Sequence, residues 1–291
     1  MKKIIFSLVL CLCAGFAAMA QDEDDPAFVN KRGVALLPQA GDFALGVDAS
    51  PFLRYMGNLF TSDFNRSPRF NGVGQTFYGK YFVQDNRAIR MRLSLNLGND
   101  ASKGIVPNDY ELANNPLNPF ATVIDVQNST YTDVTLGIGY EFRRGKGRAQ
   151  GFWGYEVSLG YLDRKDKIDY ANPMTEINQA PSTYDFINDF YGNPLKRMTE
   201  KNWGETLSGG LGAFVGVEYF FAPRISIGGE FWLGFQYRSE EQTETTWEYW
   251  DTSLNKVQTI TERWWKNGWT AQTSGAITSA SYGSIFLMFH F

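Results

Sequence analysis

The sequence predicts an all-β chain, an eight-stranded antiparallel up-and-down transmembrane β-barrel with long outer loops. Three observations carry this expectation. The chain opens with an export signal. It then holds eight segments in which apolar residues alternate with small or polar ones. The connections between those segments alternate short and long.

Lys2 and Lys3 precede an apolar run from Ile4 to Phe16, and Ala18-Met19-Ala20 stands before Gln21. A positive start, a short apolar stretch and a small-x-small site make up a cleaved signal peptide, and the run is too short for a spanning helix. Residues 1–20 are read as signal peptide, 21–40 as a periplasmic N-terminal segment and 41–291 as the barrel. Both cysteines, Cys11 and Cys13, lie in the signal. Cys13 lacks the small residues that a lipidation site needs before it. The exported chain then carries no thiol, which suits an oxidising compartment.

Acidic residues outnumber basic ones, 31 to 27. Loss of Lys2 and Lys3 widens the gap, so nucleic acid is excluded as a partner. Aromatics reach 16% while the mean hydropathy is −0.30. Strands that are apolar on one side only reconcile the two values.

A crossing strand needs about 9–11 residues with lipid-facing positions at every second place. The first candidate places Phe43, Leu45, Val47 and Ala49 on its apolar face. The second has Phe77, Tyr81 and Val83 outward and Tyr78, Lys80 and Phe82 inward, before the polar turn 84–87. The third alternates Ile89, Met91, Leu93, Leu95 and Leu97 with Arg90, Arg92, Ser94 and Asn96. The fourth runs from Val134 to Phe142, with Glu141 inward, and the basic turn 143–150 follows. The fifth runs from Trp153 to Tyr161 with Glu156 inward, and the sixth from Leu211 to Phe221 with Phe214 and Glu218 inward. After Ala222-Pro223-Arg224, the seventh runs from Ile225 to Tyr237 with Ser226, Glu230 and Trp232 inward. The eighth is the C-terminal strand, with Ile285, Leu287, Phe289 and Phe291 on one face.

The long connections fall near 53–75, 98–132, 163–207 and 238–279. Short turns on one side and long loops on the other are the pattern of a membrane barrel, and an even strand number brings both termini to the periplasmic side. A ten-stranded ring is the alternative if 163–207 conceals another pair. Trp153, Phe142, Tyr219 and Phe221 are expected in a periplasmic aromatic belt, and Tyr161, Tyr131 and Tyr237 in an outer one.

The lumen of so small a barrel is only wide enough for side chains to fill. In an eight-stranded ring, strand three faces strand seven and strand two faces strand six. Arg90 or Arg92 is therefore expected to meet Glu230, and Lys80 to meet Glu218, with Glu156 completing the set. Unpaired charges there are costly, so a salt-bridged plug is expected. A narrow charged pore is the alternative.

Four stretches carry a family resemblance: Gly33-Val-Ala-Leu-Leu-Pro38, Ala40 to Gly46 leading into Ser50-Pro-Phe52, Gly216 to Glu230, and the terminal Phe291. The chain resembles the small outer-membrane β-barrel proteins of Bacteroidetes-type bacteria over most of its exported length. The resemblance implies a place in the cell outer membrane among its lipids. It also implies that Ile285, Leu287, Phe289 and Phe291 are recognised by the barrel-insertion machinery. It assigns no activity.

Little catalytic chemistry is legible. The single histidine, His290, is penultimate and read as a lumen or rim residue, with no nucleophile tied to it by spacing. No spacing suggests a metal or a cofactor, and Asp100, Asp109 and Asp125 are read as solvated loop residues. The Arg143–Arg148 turn is read as solvated, with anionic lipid contact as the alternative.

The last loop alternates Thr243, Thr245, Trp247 and Tyr249 with Glu244, Thr246, Glu248 and Trp250. A second strand follows with Val257, Thr259, Thr261, Arg263 and Trp265, so a hairpin above the membrane is expected. Trp247, Trp250, Trp264, Trp265 and Trp269 are expected to pack the hairpin against neighbouring loops. Recognition of a glycan, a peptide or a host surface is the alternative. The functional expectation is a non-enzymatic barrel with a structural or surface-interaction role.

Overall fold

The computed structural model describes residues 35–49, 75–115, 117–145, 147–264 and 273–291. In chain order the elements are β1 (Phe43–Asp48), β2 (Gln75–Gln84), β3 (Arg87–Pro107), α1 (Asp109–Asn114), β4 (Thr122–Arg144), β5 (Ala149–Asp169), β6 (Thr183–Asp185), β7 (Phe190–Gly192), β8 (Lys196–Asn202), β9 (Thr206–Ala222), β10 (Ile225–Glu241), β11 (Thr243–Asp251), β12 (Lys256–Trp264) and β13 (Thr273–His290).

Eight of these strands close a ring in the order β1, β2, β3, β4, β5, β9, β10, β13. Every neighbouring pair is antiparallel. Closure joins Ala44 to His290 through Asp48 to Phe286. There the Phe43 and Phe291 rings stack with centroids 5.1 Å apart, and the backbone N–H of Phe291 donates to the Phe43 carbonyl at 2.8 Å. The eight-stranded antiparallel barrel is thus the fold, and the ten-stranded alternative is ruled out for the ring.

The period-2 pattern explains the wall. Phe77, Tyr81, Ile89, Met91, Val157, Leu159, Val215, Val217, Phe231 and Leu233 are exposed on the outer surface. Their chain neighbours Tyr78, Lys80, Arg90, Glu156, Phe214, Glu218, Glu230 and Trp232 are buried inside. Glycines in the inner wall receive the large lumen side chains: a Cβ on Gly154 would strike Phe214, one on Gly216 Phe152, and one on Gly228 Phe286. These are close-approach glycines, used where a neighbouring ring needs the space.

Two expectations about the long connections change. The loops do not begin at Gly98 and Asp163. β3, β4 and β5 run on as a continuous ladder, pairing Pro107 with Thr122 and Val126 with Asp169. Residues such as Asn99, Asp100, Asn128, Ser129 and Lys165 hide this from a search for apolar alternation. Strand beyond the bilayer has no lipid face to satisfy. The segment 163–207 does contain further strands, but they pair outside the ring. β6 and β7 form a small hairpin, and β8 pairs with β5 and β11.

The result is a crown of sheet at the long-connection end of the ring. The β8–β11 ladder keeps the register of β9–β10 below it: Glu240 faces Thr206, and one short break later Glu244 faces Asn202. The expected hairpin is present as β11–β12, from Thr243 opposite Trp264 to Asp251 opposite Lys256.

Candidate functional site

The lumen holds a compact network of charges. Lys80 Nζ lies 3.0 Å from Glu141 and 3.2 Å from Glu218. Arg90 grips Glu230 with two donors at 2.7 and 3.0 Å, and also lies 3.4 Å from Glu156. Arg92 places Nε at 3.0 Å and Nη2 at 2.8 Å from Oε1 of Glu156. Strand three was expected to meet strand seven, and here it meets strand five as well.

Two members were not among the expected site residues. Glu141 accepts from Lys80, and Arg143 Nη2 lies 2.9 Å from Glu218. Arg143 was expected in a solvated turn, yet its side chain is only 3% exposed. Strand parity held the signal: Arg143 is two residues beyond Glu141, on the same inward face, and β4 continues to Arg144. Arg148, in that turn, donates to the carbonyls of Phe220 and Phe221.

Aromatic rings fill what the charges leave. Lys80 Nζ sits 4.6 Å from the Phe152 ring centre, and the Arg90 guanidinium 3.9 Å from that of Phe214. Arg92 lies over Tyr282, which stacks on Trp232 with centroids 5.1 Å apart. Phe82, Phe286 and Met288 complete the packing. Four cations face four carboxylates at close range, so the charges compensate one another.

His290 lies in the same layer, between the Phe82 and Phe220 rings. Its Nε2 is 3.1 Å from both Ser226 Oγ and Glu218 Oε1, while Ser226 Oγ donates to Glu218 at 2.5 Å. A serine, a histidine and an acid therefore meet. A hydrolytic triad, however, uses opposite ring nitrogens for nucleophile and acid, and an accessible nucleophile. Here both partners share one nitrogen, and Ser226 is fully buried.

The outer wall carries aromatics at the short-turn end of the barrel. Phe142 stacks on Trp153 at 6.2 Å, with Tyr140 beside it. Ile285, Phe289 and Phe291 of the C-terminal set are exposed on the outer surface, and Leu287 pairs with Val47 and Ile227. Tyr131 departs from the expected outer belt. It faces Gly98, and a Cβ on that glycine would strike the tyrosine ring. Its parity is that of Asp133 and Thr135, on the lumen side.

The crown is tied down by buried polar groups. Asp125, expected to be solvated, has no exposed surface and accepts the backbone N–H groups of Ala171 at 2.8 Å and Tyr184 at 2.9 Å. Asp109 accepts from Asn178 and from the Ser182 backbone. Arg197 donates to Glu248 at 2.6 Å and to Thr183 at 3.1 Å, and covers the Tyr170 ring. Burial pushes the Tyr170 hydroxyl upward in pKa, so it stays protonated and donates to the Met198 carbonyl. Asp125→Ala leaves two backbone donors without acceptors, each worth about 1–3 kcal/mol. Limited proteolysis is expected to cut 170–185 in this variant while the ring strands remain protected.

Trp247 and Trp250 are half-buried, and Trp264 is exposed. Lys196 Nζ lies 4.9 Å from the Trp247 ring centre and 2.5 Å from Glu262. Gln179, Leu195, Lys196, Tyr249, Trp250, Thr252 and Ile260 line a groove of about 450 Å³. Trp265 and Trp269 lie outside the described residues.

These features define the class: an eight-stranded barrel of the outer-membrane type, with an apolar belt, a packed lumen and a crown of sheet above its long-connection end. No family model and no curated protein matches the chain. Solved structures do match. The outer membrane protein OprG from Pseudomonas aeruginosa is 9% identical with a TM-score of 0.35, over 88% of this chain and 98% of that one. A major outer membrane protein from Thermus thermophilus is 11% identical with a TM-score of 0.39, over 87% and 100%. The outer membrane protease OmpT from Escherichia coli is 9% identical with a TM-score of 0.34, over 87% and 94%. Likeness at this level carries no argument about activity.

Proposed function

We propose that the protein is a non-enzymatic barrel of the cell outer membrane whose lumen is closed and whose outer crown has a structural or surface-interaction role. The observation that supports this most is the lumen: each buried charge has an opposite partner within 3.2 Å, and aromatic side chains occupy the space between. Outer-membrane lipid covers the apolar belt in this reading, and the insertion machinery engages the C-terminal strand. The resemblance to Bacteroidetes-type barrels supports the location. In planar bilayers the purified protein is expected to give no steady open-channel current. Large, steady conductance would replace the closed-lumen reading with that of a narrow pore.

A second reading, recognition of a glycan, peptide or host surface, is favoured by the aromatic groove between residues 179 and 195–196 and the β11–β12 hairpin.

A further inference from the structure

We propose that the outer edge of β12 is a docking site for an extended basic segment of another protein, which adds to the crown sheet as a further strand. This rests on the reading of the crown as an interaction surface and names its partner chemistry.

The crown sheet runs β5, β8, β11, β12, and β12 is its last member. Among the described residues β12 pairs only with β11. An antiparallel ladder engages alternate backbone groups, so the others along 256–264 point away from the sheet. Such a row of donors and acceptors is a template for an incoming strand. Val257, Thr259, Ile260 and Thr261 favour extended backbone, and the stretch holds neither glycine nor proline.

Edge strands are commonly shielded by charged side chains. Here two of the three charges of β12 are held within the sheet, and the third, Lys256, stands at the turn end of the strand. Arg263 donates to Glu244 at 2.7 Å, and Glu262 accepts from Lys196. Ile260 is 44% exposed and lines the groove with Leu195, Tyr249 and Trp250. A strand laid beside β12 places every second side chain on that face, next to an apolar recess.

The crown also sets the sign of the partner. Between 98 and 133, Asp100, Asp109, Glu111, Asp125 and Asp133 stand against Lys103 alone. Between 163 and 207 eight acidic residues stand against six basic ones, and between 238 and 264 six stand against three. This surplus attracts a basic segment and disfavours a second copy of the same acidic crown.

Amide exchange of the folded protein in detergent micelles tests the proposal. The probe is a synthetic peptide of alternating lysine and valine, as long as β12, and its glutamate–valine counterpart is the control. In the protein alone, some amides of 256–264 should exchange rapidly. The lysine peptide should slow them by about tenfold, and the glutamate peptide should not. Ile260→Lys should abolish the effect while heat-modifiable gel mobility shows an intact barrel. The proposal is overturned if both edges of 256–264 are protected without peptide. It is equally overturned if that protection rises with protein concentration alone, if neither peptide protects, or if Ile260→Lys is protected like the parent. A failed exchange experiment beside silent bilayers removes only the docking edge, whereas a steady current removes the closed-lumen reading.

Discussion

Glu218→Ala is expected to lower the stability of the folded barrel by about 3–5 kcal/mol, the cost of breaking a buried ion pair from one side. Glu218 has no exposed surface and is the shared partner of Lys80, Arg143, Ser226 and His290. Its removal leaves Lys80 and Arg143 to share Glu141. One positive charge is then uncompensated in a layer of phenylalanine rings. Urea unfolding in micelles measures the loss. The paired change Lys80→Met with Glu218→Gln should recover a large part of it, because both charges leave together. Equal stability of the parent and Glu218→Ala would show that water reaches this layer and that the plug is not dry.

Phe152→Ala is the second large effect, with an expected loss of about 3–5 kcal/mol for a buried phenylalanine. Phe152 is fully buried and its ring lies 6.0 Å from that of Phe286 and 6.2 Å from that of Phe214. It also lies under Lys80 and over Gly216. Its neighbours are anchored to different strands, so the site cannot collapse to fill the space. Unfolding in urea reports the loss. A cost under about 1 kcal/mol would mean that the lumen rearranges like a surface.

Much of the barrel is legible because lipid imposes a rule on sequence. A crossing strand must show apolar residues at every second position, so Ile89, Met91, Leu93, Leu95 and Leu97 declare themselves. The same parity assigns Lys80, Arg90, Glu218 and Glu230 to the interior. The rule ends where the bilayer ends. Thr122–Asp133 and Asp163–Asp169 are strand without an apolar stripe, so the sequence reads them as loop. Asp125 shows the same limit, since an aspartate that accepts two distant backbone N–H groups looks like any loop acid.

Pairing across the lumen is less legible than membership. Parity places Arg92 and Glu156 inside, but their contact depends on strand tilt and stagger, which lower or raise a residue relative to one several strands away. Arg143 was hidden because a basic residue beside a glycine-rich turn reads as solvated until the strand is seen to include it. His290 had no visible partner, since Ser226 and Glu218 lie 64 and 72 residues away.

The sequence by itself determined the inward and outward faces of the eight crossing segments and named Phe43–Val47 as the partner of the Phe291 strand in an eight-stranded ring, because period-2 alternation is a local consequence of a lipid exterior and a filled interior. It left eight and ten strands both open. Only the tertiary structure decided which charges meet, how the crown folds above the ring and where its sheet ends at β12. Those outcomes depend on register and stagger between distant strands, and no local pattern of residues encodes them.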